Sequence, residues 1–159
     1  MQNIDMIRAM LDYHHKRMEM LWDSIMTLTD EQFTADVPYS HGSVRNHMVH
    51  LANVDRGWVR GLKEEPNARS GGAKIEDYST RESTRELWQS SVSFVKDYLD
   101  TLDDAALVKT PQNMPMPVWQ TLLHLVNHGT DHRAQVLQIL TDFGAPTFDQ
   151  DVAFHFMGR

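Results

Sequence analysis

The chain has 159 residues, 41% of them apolar and 23% charged, which fits one globular domain spanning 1–159 with a substantial core and argues against disorder. Its formal charge of −7, with 15 basic residues scattered among 22 acidic ones, lacks the basic footprint that nucleic-acid binding leaves. Cysteine is absent, which excludes disulfides, thiolate metal sites and a cysteine nucleophile; any metal must be held by nitrogen or oxygen, and any thiol chemistry needs a thiol from outside.

The first predicted element is "IDMIRAMLDYHHKRMEMLWDSIMTL". Ile7, Leu11, His14, Met18, Leu21, Ile25 and Leu28 recur alternately at four and three, the seam of a bundle helix, while Arg8, Asp12, Lys16, Glu19 and Asp23 mark the opposite, solvent face. "TDEQFTADVPYSHG" breaks that rhythm and reads as a loop. Ser43 is a good N-cap for a second helix, "VRNHMVHLANVDRGWVRGL", with Val44, His47, Leu51, Val54 and Trp58 on its inner stripe and His50 at the edge. "KEEPNARSGGAKIEDYST" is polar and reads as a long surface connection. Ser83 and Glu86 fit a capping box opening a third helix, packed through Leu87, Ser91, Val95, Tyr98, Leu99 and Leu102. After the proline-rich "VKTPQNMPMP", Pro117 suits the first turn of a fourth helix, with Val118, Leu122, Leu125, Gly129, His132, Val136 and Phe143 facing inward and Gly144 and Pro146 ending it. No alternating strand pattern intervenes, so the fold class is all-α, a four-helix bundle. No apolar run approaches the ~20 residues of a membrane span, and "MQNIDMIRAM" is unlike a secretory signal, so the expected location is the cytoplasm, with no membrane partner.

Within the fourth helix, "HLVNHGTDHR" lines up His124, His128 and His132 at steps of four, on nearly one face. Nine histidines placed at random in a chain of this length would produce such a chained triple about 0.03 times, so the row asks for a reason. Two imidazoles four residues apart can converge on one ion at ~2.0–2.1 Å, and a facing helix must supply the rest. The second helix offers His47 and His50. His14, His15, His41 and His155 have no helical histidine partner at a useful spacing and read as core or boundary groups held by hydrogen bonds. Gly129 follows His128, so the H-E-x-x-H pattern with its glutamate base is missing, and no phosphate or dinucleotide loop is present. What this leaves is an open imidazole site that activates a bound water or thiol.

These residues resemble the DinB-like (DinB/YfiT) family of helical-bundle proteins over almost the whole chain. The resemblance rests on "SVRNHMVHLANVDRGW", on "HLVNHGTDHRAQV" and on the acidic-aromatic ending "FDQDVAFHF". It implies that His50, before Leu-Ala, is the first metal ligand and that His128 and His132 are the second and third. The chain departs from the family pattern at Ala134, where glycine is usual, which touches only local packing. The resemblance further implies a homodimer and a divalent ion, Zn²⁺ or Ni²⁺, both of which suit imidazole better than the oxygen-seeking Mg²⁺ and Ca²⁺ do. Some relatives are transferases or isomerases dependent on low-molecular-weight thiols.

The leading functional expectation is therefore a metal-dependent transferase joining a low-molecular-weight thiol to a small electrophilic substrate. One alternative is a metal-dependent hydrolase using bound water, with Asp55 as candidate proton acceptor, although its position reads equally as a solvent-facing carboxylate. The other is a non-catalytic bundle with a coordinatively closed ion, for which a fourth protein ligand would speak. His124 is expected to support or line the site, and Arg133 and Gln135 to line it or to cap and pack.

Overall fold

The computed structural model describes residues 3–158, all of whose regular structure is helical. Four long helices, α1 (Asn3–Ile25), α3 (Val44–Leu62), α4 (Arg81–Leu99) and α6 (Val118–Asp142), form the bundle. Three short ones lie between and after them: α2 (Asp30–Thr34), α5 (Asp104–Leu107) and α7 (Val152–Phe156). A single 3₁₀ turn occupies Ile75–Asp77. No described helix is long and apolar enough to cross a membrane.

The α1 seam behaves as its spacing predicts. Ile7, Leu11, His14, Met18, Leu21, Ile25 and Leu28 are all buried, and Arg8, Asp12, Lys16, Glu19 and Asp23 are all exposed. The start of α1 is capped from far away: the backbone N–H groups of Asn3 and Ile4 donate to the Asp104 carboxylate at 3.3 and 2.8 Å. Residues 30–34, read as loop, form α2 because Thr29 and Gln32 make a reciprocal capping box that satisfies its first donors. Ser43 caps α3 as expected, its Oγ accepting from Asn46 N–H at 3.1 Å. The cap of α4 is Thr80 rather than Ser83, which lies inside the first turn and donates its own N–H to Thr80 Oγ1. Pro117 stands one position earlier than expected, at the N-cap of α6, and Gly144, at φ +72°, takes the left-handed conformation that ends it.

Two apolar clusters reveal the helix directions. One gathers the start of α1, the end of α3, the end of α4 and the start of α6, through Ile7, Leu62, Leu99 and Leu122. The other gathers their opposite ends, through Ile25, Val44, Trp88 and Leu140. Thus α1 and α6 run one way, and α3 and α4 run the other. Since α3 and α4 are parallel neighbours, the chain must return the length of a helix between them, about 28 Å for 19 residues. Residues 63–80 make that return, which accounts for the length of this connection. Asn53 clamps it, donating to Ala73 O at 2.9 Å and accepting from Ala73 N–H at 2.8 Å.

Between the two apolar clusters lies a polar layer. It is built from His14 and His15 of α1, Asp55 of α3, Ser91 of α4, and Gly129, His132 and Arg133 of α6, all buried. Arg133 is fully buried and is satisfied by neutral acceptors: Gln150 Oε1 at 2.7 Å, Tyr13 Oη at 3.0 Å, Thr130 Oγ1 at 3.1 Å and His14 Nδ1 at 3.3 Å. It therefore ties the C-terminal segment to α1 and α6 from inside the core.

Candidate metal centre

At the α3–α6 seam the polar layer comes to the surface as a group of imidazoles. His128 and His132, one turn apart on α6, approach through their Nε2 atoms at 3.2 Å. His50 of α3 places its Nε2 3.3 Å from that of His128. His47, one turn earlier on α3 and fully buried, lies behind, with its Nδ1 3.1 Å from His132 Nδ1. His132 is buried, His50 and His128 are half-buried, and the group opens toward solvent.

Hydrogen bonding alone serves this arrangement poorly. A neutral imidazole nitrogen carries either one proton or one in-plane lone pair, so His128 Nε2 can bond well to only one of its two nitrogen neighbours. The same spacing suits a cation, because nitrogens about 2.0–2.1 Å from a tetrahedral centre are roughly 3.3–3.4 Å from one another. Protonation does not compete near neutrality. Burial, reinforced by the neighbouring imidazoles, pushes His50 and His128 down to about 4 and lowers His132 as well. The lone pairs are available at pH 7.

His132 Nδ1 and His47 Nδ1 are 3.1 Å apart, so with an ion at its Nε2 His132 would carry its proton on Nδ1 and donate it to His47, the kind of outer support that fixes a ligand's tautomer. Burial, then His132, His41 and His50, push His47 down to about 4, so it is a neutral ring able to accept that bond. The residues present fit a divalent ion.

A further imidazole joins the group from outside the helices. His41, on the loop between α2 and α3, stacks on His50 with ring centroids 4.1 Å apart and approaches His132 at 5.0 Å. Candidate ligand nitrogens of His41, His50 and His132 all lie within 4.8 Å of one another, so these three imidazoles could hold a metal ion. No helical spacing could have signalled His41, since a loop delivers it.

Other expected residues fall elsewhere. His124 continues the α6 row, 5.5 Å from the His128 ring, and packs edge-on against Trp58 at 5.0 Å. Asp55 is not solvent-facing: it is 4% exposed, and burial raises its carboxyl to about 7. It lies about 140° round α3 from His50, toward the core rather than the gap. The inner stripe of α3 accordingly runs through Asp55 and Val59, leaving Val54 and Trp58 half-buried. Those two line a groove of about 1270 Å³ between α3, α4 and the 63–80 connection, together with Arg56, Arg69, Lys74 and Phe94.

Fold and site together define a helical-bundle protein with a histidine-rich centre that could hold a metal. The chain belongs to the DinB family, whose sequence profile matches residues 1–157. Comparison with curated proteins returns no match.

Proposed function

We propose that this protein is a metal-dependent transferase that joins a low-molecular-weight thiol to a small electrophile, with His50, His128 and His132 holding a Zn²⁺ or Ni²⁺ ion. The observation that carries the reading is the approach of three Nε2 atoms, from two helices, at 3.2 and 3.3 Å. When bound, a divalent ion supplies the Lewis acidity that a weakly acidic thiol needs to react as its conjugate base at neutral pH. The chain has no cysteine of its own to compete for that role.

The protein's residues contribute placement. His47 orients His132 through the Nδ1–Nδ1 contact, and α6 fixes His128 relative to His132 by helical geometry. A groove beside Trp58, lined by none of the histidines, lies next to His124, and through it next to the centre. A homodimer, with no nucleic-acid or membrane partner, completes the reading. The water-based hydrolase draws less support, because its candidate base Asp55 is buried on a face of α3 about 140° round from His50.

The test mixes metal-loaded protein with bacillithiol, mycothiol or glutathione and an epoxide or halogenated electrophile, and scores conjugates by mass spectrometry. Metal-dependent conjugation is expected with at least one thiol. A blank across the panel, with ester or amide turnover in the absence of thiol, would transfer the case to hydrolysis.

A further inference from the structure

We infer that His41 is a fourth imidazole donor to the ion held by His50, His128 and His132, delivered by a locked loop and exchangeable for an outside ligand. The inference rests on the metal-centre reading above and concerns the position that reading leaves open.

The loop carrying His41 is held on both sides. Ser40 adopts φ +49° and Gly42 φ +88°, so the residues flanking His41 are both left-handed, one of them without glycine's freedom. The positive φ at Gly42 disfavours any other residue in this turn, and a Cβ there would also have to displace the exposed Asp36 carboxylate, whose Oδ1 lies 2.6 Å away. Gly42 N–H donates to Tyr39 O at 3.0 Å, and Val37 N–H donates to Gly42 O. Asn46 Nδ2 donates to the backbone oxygen of His41 at 2.8 Å. Ser40 Oγ donates to Gln135 Oε1 at 2.6 Å, which fastens the loop to α6 three residues past His132.

All these contacts fix the backbone and none engages the His41 ring. Its ring nitrogens bond to no described residue, and the residue is exposed. The ring nonetheless lies over the centre, 4.1 Å from the His50 ring, 5.0 Å from His132 and 5.1 Å from His47. A rigid backbone carrying an exposed imidazole whose nitrogens are not hydrogen-bonded is the arrangement expected of a ligand that can bind and leave. Its candidate ligand nitrogens come within 4.8 Å of those of His50 and His132, the reach that a shared ion requires.

X-ray absorption at the zinc edge counts the imidazoles directly. Zinc-loaded parent protein is expected to show four, and His41→Ala three plus one oxygen. Zinc affinity, measured by chelator competition, should fall by at least the roughly tenfold that loss of even an outer partner costs. Adding 2-mercaptoethanol to the parent should replace one imidazole with sulfur at ~2.3 Å. Three imidazoles in the parent, unchanged in His41→Ala, would overturn the fourth donor. The His128→Ala variant separates the two levels: if it loses zinc while His41→Ala matches the parent, only the His41 inference falls. If it holds zinc like the parent, the centre falls too.

Discussion

His14 and His128 stand on either side of Gly129, and both have been made weak bases by loss of water. Burial, followed by His15, Arg133 and His128, holds His14 well below the usual imidazole value. Burial, followed by His132, His50, His124 and His41, holds His128 at about 4. What differs is the company of their nitrogens. His14 Nδ1 accepts from the Arg133 guanidinium, a permanent cation that occupies its lone pair. His128 Nε2 faces two other Nε2 atoms and no cation, while its Nδ1 is buried without a partner. A depressed imidazole is thus engaged by a cation in one region and left facing other imidazoles in the other, and only the neighbours tell which.

The largest effect should come from breaking this difference directly. By elemental analysis of protein purified without a nickel column, the parent and His14→Ala are expected to carry stoichiometric metal and His128→Ala to lack it. Equal metal content in the two variants would erase the distinction.

A steric change comes next. Gly129 exists because the His14 ring lies against α6: a Cβ there would meet His14 Cε1 at 2.0 Å and Nδ1 at 2.7 Å. Gly129→Ala should therefore destabilise the fold by about 1–3 kcal/mol, despite alanine's better helix propensity. Urea unfolding measures this, and a neutral or stabilising result would mean that His14 has somewhere else to go.

The smallest effect is a pH dependence in which two buried groups of the polar layer oppose each other. In metal-free protein, His15 titrates at about 4 against an ordinary value of 6.5. The unfolded chain therefore takes up protons first, so this stabilisation is complete above about pH 6.5 and is lost as pH falls toward 4. Asp55 runs the other way: raised from 3.8 to about 7, its contribution is fullest below 3.8 and is lost as pH rises through 7. Asp55→Asn should consequently stabilise the apo-protein at pH 8, on the order of 1 kcal/mol, with a smaller or reversed difference at pH 5. Denaturation curves that track the parent at both pH values would show that Asp55 is better solvated than its burial implies.

Much of the fold was legible because helices write their buried face into the chain at a fixed period. The α1 seam, the Ser43 cap, the stop at Gly144 and the α6 histidine row all follow from positions a few residues apart. Asp55 was harder, since spacing alone allowed either side of α3 to turn inward and the apolar Val54 and Trp58 drew the predicted stripe toward themselves. The cap of α1 by Asp104 and the loop fastening of Ser40 to Gln135 join residues about a hundred positions apart. Such contacts leave no local signal.

By itself, the amino-acid order determined an all-helical chain without thiols, with imidazoles aligned on one helix and more available on another. Those properties are local, set by periodicity and composition. Only tertiary packing decided that α3 and α4 run parallel, that Asp55 is sealed inside, and that a loop carries His41 over His50 and His132. A gap where nitrogens meet belongs to no single segment: it exists because separate helices and a turn, each stable for its own reasons, are packed against the same core.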